Sequence, residues 1–248
     1  TLTITTYSGD TSVGSNSYTV TCSIPASVKP TVSMNLSDDA GYLSTFGKYI
    51  QGMSKVKVSL TASGNQGSTI KSYKVVVDGR TYGSSSFTTN VISGSGLLTV
   101  EAAVTDSRGR TATTSTAITV AEYAKPKFTS LSVKRSDSSG NPSSSGAYLA
   151  VRFSSVVTPI DNKNTATYTI KYKKETASSY TTKTLSNFAN NYAVSNGLYV
   201  ISADTASSYN VIVTVKDKLA TTTKPGYGAS VKKLFSILKG GLGFAFGK

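Results

Sequence analysis

The sequence contains no histidine and no tryptophan, and its 248 residues include a single cysteine, Cys22. Without histidine the chain cannot build a Ser-His-Asp triad, a Cys-His dyad or a histidine-ligated metal site. With one cysteine it cannot form an intrachain disulfide or a Cys-x-x-Cys site. These absences exclude several large classes of enzyme and metalloprotein before any pattern is considered.

Charged residues are also scarce, at 15% of the chain, and hydrophobic residues reach only 38%. Serine, threonine and 21 glycines fill much of the remainder. Helical proteins need Leu, Ala, Glu, Lys and Arg in quantity, so this composition excludes a helix bundle. Fifteen tyrosines and many Val and Ile recur in alternating runs, which indicates half-buried strands rather than disorder.

Acidic residues are the rarer sign of charge, with 12 Asp and Glu against 26 Lys and Arg, for a formal net charge of +14. Residues 1–124 hold 9 basic and 7 acidic residues, and residues 125–248 hold 17 basic and 5 acidic residues. The net charge is therefore +2 in the first half and +12 in the second. Nucleic acid, an anionic membrane and an anionic cell-wall polymer are all compatible partners, and so is a plainly solvated lysine-rich surface.

Three segments repeat one plan, in which an alternating strand ends at an aspartate and a polar turn leads into a second strand. The three aspartates are Asp10, Asp106 and Asp217, spaced by 96 and 111 residues. A boundary proline follows 20 residues after each of the first two, at Pro30 and Pro126. A period near 100 residues with many short strands predicts an all-β chain of tandem immunoglobulin-like or fibronectin type III-like β-sandwiches.

The repeat predicts four regions. Residues 1–27 form the closing hairpin of a preceding sandwich domain, residues 28–124 a first β-sandwich, residues 125–235 a second and basic β-sandwich, and residues 236–248 an apolar, glycine-rich segment leading into a further domain. We expect the last strand of the second sandwich at 228–235. Because the chain begins with Thr and shows no secretory signal, we also expect it to be a segment of a longer protein.

The carboxylates show no catalytic pattern. Eight of the aspartates lie in or beside turn-like sequence, where Asp commonly caps backbone N–H groups. No pair marks a cleft, no calcium-loop spacing occurs, and the glycine-rich stretches lack the strand-to-helix context of a phosphate loop. We therefore expect no catalytic residue, no cofactor-binding or metal-binding residue, and no enzyme activity.

Basic residues of the second half form a candidate anion-binding face. On the predicted strand 166–173, Lys171 and Lys173 share one side because side chains alternate along a strand. Four further residues are predicted to extend this face, namely Lys134, Arg135, Arg152 and Lys183. A solvated face is the ordinary alternative for such a group of charges.

The apolar C-terminal segment is a candidate interface. Its run is too short for a membrane span and is interrupted by Lys239. Gly240 and Gly241 permit the chain to reverse, which predicts two short facing strands that pack on a neighbouring domain or a second copy of the chain. A membrane-active loop is the alternative. The predicted interface residues are Phe235, Ile237, Leu238, Leu242, Phe244 and Phe246.

Two stretches carry a family resemblance. The run KLFSILKGGLGFAFGK at 233–248 resembles a run in minor structural proteins of siphophages that infect Gram-positive bacteria. The stretches YIQGMSKVKV at 49–58 and GSTIKSYKVVVDG at 67–79 are similar to the immunoglobulin-like repeats of the same proteins. These are scaffold motifs, so the resemblance transfers no catalytic residue.

The resemblance implies a non-enzymatic virion component at the tail tip or baseplate, extending toward or adhering to the host cell surface. The partners it implies are other phage tail proteins, with the chain a homo-oligomer, and an anionic host cell-wall polymer is a further candidate from the charge. Nucleic acid, a membrane span and a cofactor are not expected. Two alternatives stay open: the stalk of a bacterial surface adhesin, and the non-catalytic part of a tail-associated cell-wall hydrolase.

Overall fold

The computed structural model describes residues 1–21 and 23–231, together with the backbone of residues 235–237 and 244–246. A hairpin of β1 (Leu2–Ser8) and β2 (Thr11–Tyr18) opens the chain as a two-stranded sheet of its own. Its strands pair antiparallel, and a bulge follows Thr6.

The chain divides into two compact units. Unit 1 comprises residues 1–40 and 53–120, and unit 2 comprises residues 41–52 and 121–248. The segment 41–52 falls inside the predicted first sandwich but belongs to unit 2. The predicted limits 28–124 and 125–235 stay a prediction.

Strands follow one another closely up to residue 121, because alternating Val, Ile and Thr runs are separated by Gly, Asn and Asp turns. In chain order the elements are β3 (Thr31–Asp38), α1 (Tyr42–Phe46), β4 (Tyr49–Ile50), β5 (Val56–Ser63), β6 (Ile70–Val77), β7 (Arg80–Tyr82), β8 (Ser86–Thr88), β9 (Gly96–Asp106) and β10 (Thr111–Ala121).

Unit 1 is a β-sandwich of seven strands. One sheet has the order β3-β5-β8, and the other has the order β10-β9-β6-β7. Alternate residues of β5 and β9 are buried, as in Val56 and Val58 or Val100 and Val104, so each sheet turns one face to a shared core. In unit 2, the N–H of Gln51, just after β4, donates to the carbonyl of Ala121 at 3.0 Å.

Unit 2 repeats the same topology with seven consecutive strands. They are β11 (Lys127–Ser136), β12 (Tyr148–Val156), β13 (Thr167–Lys174), β14 (Thr181–Thr184), β15 (Ala193–Ser202), β16 (Tyr209–Lys216) and β17 (Thr221–Gly228). Their sheets have the orders β11-β12-β15 and β14-β13-β16-β17. When the seven sandwich strands of each unit are counted in chain order, the first, second and fifth form one sheet. The third, fourth, sixth and seventh form the sheet that packs against it. The predicted fold class, immunoglobulin-like or fibronectin type III-like sandwiches, is confirmed.

The core of unit 2 is built on aromatic rings between its sheets. Phe153 packs edge-on against Phe128 and Phe188, with ring centroids 6.1 and 5.2 Å apart. Tyr168 is fully buried among them, and its hydroxyl lies 3.0 Å from the Ser155 hydroxyl. Such rings bury large apolar areas, and the tyrosine hydroxyl needs a partner when buried.

The first and last strands of unit 2 lie side by side and run in the same direction. At the start of both strands, the Thr222 hydroxyl donates to the carbonyl of Pro126 at 2.6 Å. At their far ends, Arg135 of β11 reaches the carbonyl of Ala229, just beyond β17, at 2.7 Å. These contacts close one side of the sandwich.

The predicted last strand at 228–235 is wrong over residues 229–231, which lie in no strand, and residues 232–234 lie outside the described residues. The strand that pairs with β16 is β17, which begins after a tight turn in which the N–H of Asp217 donates to the carbonyl of Ala220. Pro225 makes this stretch look like a loop. Proline is tolerated there because β17 is an edge strand with no further neighbour in its sheet.

A last hairpin follows the seven sandwich strands of unit 2. β18 (Phe235–Ile237) and β19 (Phe244–Phe246) pair antiparallel, with Phe235 opposite Phe246, so the predicted facing strands are confirmed. Leu238 and Leu242 lie outside the described residues. Burial of the six apolar side chains against a partner stays a prediction.

Candidate anion-binding face

β13 presents two of the predicted basic residues on the outer side of the four-stranded sheet of unit 2. Tyr168 and Ile170 of β13 are fully buried, so the alternate residues Lys171 and Lys173 point away from the core. Lys171 is exposed and Lys173 is half-buried. The sequence-based assignment of these two lysines to one face agrees with this register.

The loop after β13 fixes the position of Lys173. Its ammonium group donates to the carbonyl of Ala177 at 2.7 Å and lies 5.2 Å from the ring centroid of Tyr180. A cation over an aromatic face is attracted by the ring quadrupole. Lys173 therefore holds its charge at a defined place at the end of the sheet.

A third lysine of this face escaped the sequence reasoning. Lys216 of β16 is paired with Thr167, which lies on the same side of β13 as Lys171 and Lys173. Directly opposed residues in an antiparallel pair share one face. Both strands were predicted, but only their pairing register places Lys216 beside Thr167.

Lys183 lies on the other side of the same sheet. It is paired with Ile170, whose side chain is in the core, and it stays exposed because β14 is the sheet edge. A lysine on the inward side of an edge strand discourages pairing with another chain. The structure thus separates Lys183 from Lys171 and Lys173.

Lys134 and Arg152 belong to the three-stranded sheet. Arg152 is paired with Ser132, two residues from Lys134, so both basic side chains lie on the outer face of that sheet. An Arg152 guanidinium N–H donates to the carbonyl of Gly140 at 3.3 Å. A depression of about 140 Å³ lies here, lined by Ser132, Lys134, Arg135, Gly140, Pro142, Ala150 and Arg152.

Arg135 is engaged with main-chain carbonyls. Its guanidinium donates to the carbonyls of Ala203 and Asp204 at 3.1 and 3.0 Å, and to those of Ser207 and Ala229 at 2.6 and 2.7 Å. A guanidinium has five N–H donors, and four hydrogen bonds leave little capacity for an anion. In this arrangement Arg135 fastens β11 to the loop before β16 and to the end of β17.

The repeated aspartate of unit 1 is the centre of a buried polar network. Asp106 is 0% exposed, and one carboxylate oxygen accepts from the N–H groups of Arg108 and Arg110 at 3.0 and 2.9 Å. The other accepts from the Arg110 guanidinium at 2.7 Å and from the Ser68 hydroxyl at 2.9 Å. Burial raises the pKa of Asp106, but the hydrogen bonds from Arg110, Ser68 and Arg108 outweigh it and lower this pKa to about 2.

The repeated aspartate of unit 2 is satisfied without a cation. Asp217 is 2% exposed and accepts from the N–H groups of Leu219 and Ala220 at 2.7 and 2.6 Å. The Tyr123 hydroxyl and the Asn164 amide donate to its second oxygen at 3.2 and 3.1 Å. Burial, followed by the Asp217 charge, raises the pKa of the Tyr123 hydroxyl.

These networks give the buried carboxylates a structural role, because their acceptor capacity is used by turn N–H groups and neighbouring side chains.

Within residues 1–21 and 23–231, no group of three Asp, Glu or Cys residues is placed to hold a metal ion. In the same part of the chain, no helix has the length and apolar character needed to cross a membrane.

Solved structures similar to this chain include tandem fibronectin type III domains. A two-domain segment of chicken tenascin is 12% identical, with 80% of this chain and 98% of that chain covered and a TM-score of 0.30. A bacterial ice-binding adhesin is 13% identical over 86% and 70% of the two chains, with a TM-score of 0.38. The fibronectin(III)-like modules of Clostridium thermocellum CbhA are 12% identical over 79% and 94%, with a TM-score of 0.28.

No curated protein matches the sequence. A family model described as "Siphovirus protein of unknown function (DUF859)" matches residues 1–248. The match spans the hairpin β1–β2, both sandwich units and the C-terminal segment, and it supports a phage structural protein. The chain belongs to this siphovirus protein family.

Proposed function

We propose that this chain is a non-enzymatic structural component of a siphophage tail, at the tail tip or baseplate, where it extends toward the surface of a Gram-positive host. The match of a siphovirus family model to residues 1–248 carries the proposal. Two β-sandwich units with continuous apolar cores supply stable structure, and loops and sheet faces remain for contacts with other proteins. Its place is the virion, and during infection the host surface.

The polar chemistry of the described residues supports the absence of an enzymatic role. The chain has no histidine to act as a general base. The Ser68 hydroxyl donates to Asp106, but that carboxylate is also held by Arg110 and by turn N–H groups, so it is not a base available to activate Ser68. Asp217 is held in the same way.

The first hairpin supports contacts beyond the two sandwiches. Leu2 and Ile4 are 56% and 54% exposed and share one side of β1, with Tyr18 opposite Leu2 on β2. An isolated two-stranded hairpin is marginal in water and needs a covering surface. The hairpin has the strand, turn and aspartate order of β9–β10 and β16–β17, so we assign residues 1–27 to the closing hairpin of a further sandwich.

The proposed partners are other tail proteins and further copies of this chain, with the C-terminal apolar segment as a second contact region. Exposed apolar patches on a folded protein usually mark such contacts. The anionic polymer of the host wall is the proposed partner outside the virion.

Labelling of intact virions tests the tail location. Antibodies raised against the purified chain should decorate the tail end in electron micrographs, and the protein should co-purify with tails in stoichiometric amounts. Label on the capsid, or a protein found only in infected cells, would contradict the proposal. Zymography of the purified chain on host cell walls should show no clearing zone, and a zone lost on mutation of a carboxylate pair would contradict a non-enzymatic role.

A further inference from the structure

The outer faces of the equivalent sheets differ in charge between the units. In unit 1 Lys74 on β6 and Glu101 on β9 line one depression on this face, and Lys71 lies in the bulge at the start of β6. In unit 2 the charged residues on the central strands of this face are Lys171, Lys173 and Lys216, here called the lysine stripe. Strands β13, β14, β16 and β17 contain no Asp or Glu.

Two carboxylates of unit 2 lie near this sheet, Asp204 on the inward side and Glu175 at the Lys173 end of the outer side, where Tyr227 lies. Asp204 pairs with Lys174 at 3.0 Å, and Lys174 lies on the inward side of β13, opposite the lysine stripe. Glu175, just beyond β13, accepts from the Tyr227 hydroxyl at 3.2 Å. Within the described residues, the charges of Lys171 and Lys216 therefore meet no carboxylate.

The stripe is long and straight because it follows the strands. Lys216 lies level with Thr167, four residues before Lys171 and six before Lys173. At about 3.3 Å per residue, the three charges span roughly 20 Å along the sheet. The surface between them carries short side chains, mostly hydroxyls: Thr167, Thr169, Thr182, Thr184, Asn210, Ile212 and Thr214.

We infer that the lysine stripe binds a linear polymer of phosphate groups that carries no bases, laid along the strands of the four-stranded sheet. Lysine ammonium groups act as point charges toward phosphate, and each pairing releases a condensed counterion. Threonine hydroxyls between the charges can donate to phosphate oxygens or to hydroxyl groups of the polymer. Exposed aromatic rings occur only at the Lys173 end of the stripe, at Tyr180 and Tyr227, and none lies between Lys216 and Lys171 among the described residues. Continuous stacking of bases along the stripe is therefore not supported, which favours a polymer without bases.

This inference rests on the proposed attachment role and names the polymer that the attached protein would contact. Its failure is distinguishable from failure of the tail location, because labelling of virions reports the location and solution binding reports the stripe. If only the inference fails, virions are labelled at the tail but the chain does not bind the polymer. If only the proposed location fails, the chain binds the polymer but the tail is not labelled.

Binding to inorganic polyphosphate tests the stripe. The whole chain should bind polyphosphate at 50 mM salt, and the affinity should fall roughly tenfold or more at 200 mM, as expected for about three released counterions. The double variant Lys171→Glu/Lys216→Glu should weaken binding at 50 mM salt by at least about tenfold.

A matched control separates the stripe from net charge. Lys134→Glu/Lys183→Glu makes the same change in charge within unit 2, on the other sheet and on the opposite side of the same sheet. It should reduce binding by less than about threefold, as distant exposed charges are screened. Equal loss in both double variants, absence of polyphosphate binding at 50 mM salt, or tighter binding of single-stranded DNA than of polyphosphate would each overturn the inference. Circular dichroism verifies that all variants are folded.

Discussion

The closing hairpin of each sandwich contains a buried aspartate, and the two hairpins stabilise this carboxylate with different side chains. In unit 1 the buried carboxylate of Asp106 is matched by the guanidinium of Arg110. In unit 2 the buried carboxylate of Asp217 is matched by neutral donors, the Tyr123 hydroxyl and the Asn164 amide. In both, turn N–H groups supply the remaining hydrogen bonds. The recurring element is therefore the aspartate that caps the turn, while the side chains that donate hydrogen bonds to it differ between the units.

The last strands differ as well. β10 buries Ile118 and Val120 in the core of unit 1. β17 instead brings Gly226 and Gly228 to the inner side of unit 2, where Val133 and Leu149 occupy the space of the missing side chains. The hairpin of unit 1 fills the core with its own side chains, whereas the glycines of β17 leave space that side chains of neighbouring strands occupy.

The ion pair of unit 1 gives the largest expected effect. Arg110→Met leaves the buried carboxylate of Asp106 without its cation, which is the costly way to break a buried pair. We expect the melting temperature of unit 1 to fall by on the order of 10 °C in calorimetry of the whole chain. Arg108→Met is the matched control, because the Arg108 side chain is exposed, and it should leave the melting temperature nearly unchanged. Equal effects of the two variants would show that the ion pair is dispensable.

Acid should weaken the same network. Since the pKa of Asp106 is lowered to about 2 from an ordinary value of 3.8, its stabilising contribution is complete above pH 4 and is lost as the pH falls toward 2. Asp106→Asn should therefore melt earlier than the parent at pH 7, and its deficit should shrink between pH 4 and pH 2. Melting curves of both proteins at pH 7, 4 and 2.5 measure this deficit. A deficit that does not shrink would show that the loss of stability in acid comes from groups other than Asp106.

Gly228→Ala tests the close approach in unit 2. The added methyl group would lie 2.7 Å from a terminal carbon of Leu149, which is fully buried and has little room to move. Overpacking of this kind costs about 1–3 kcal/mol of unfolding free energy. Gly14→Ala on β2 is the control, because no atom lies within 4 Å of the added carbon. Chemical denaturation compares the two, and a neutral Gly228→Ala would show that Leu149 can repack.

The neutral donor of unit 2 gives the smallest effect. Tyr123→Phe removes one hydrogen bond to Asp217, whose other donors stay in place. We expect a loss of about 1 kcal/mol. Tyr227→Phe, which removes an exposed hydrogen bond to Glu175, should cost less. If Tyr123→Phe were as damaging as Arg110→Met, the contrast between charged and neutral partners would be wrong.

The alternating runs and repeated aspartates predict most of the fold, because a strand buried on one face alternates apolar and polar residues along the sequence. Asp106 and Asp217 occupy the equivalent turns that their spacing indicates. The position of β17 is not predicted, since Pro225 and two glycines are unusual in a strand. Proline is tolerated there because β17 is a sheet edge, and the glycines are needed because side chains of neighbouring strands lie against them.

The candidate site is predicted only in part, because pairing register decides which residues share a face. Lys171 and Lys173 follow from alternation within one strand. Lys183 and Lys216 depend on which residue of β13 they oppose, Ile170 or Thr167, and no local pattern contains that information. Arg135 is engaged by carbonyls from distant loops that only the folded chain brings together.

The parallel placement of β11 and β17 has a mechanical consequence. A pull on the two ends of unit 2 acts on the start of β11 and on the end of β17, which lie at opposite ends of the same contact. Such a load shears the two strands along their length, so the Thr222 and Arg135 hydrogen bonds resist together instead of opening one after another. We expect unit 2 to unfold at higher force when pulled through its ends than when pulled across β14.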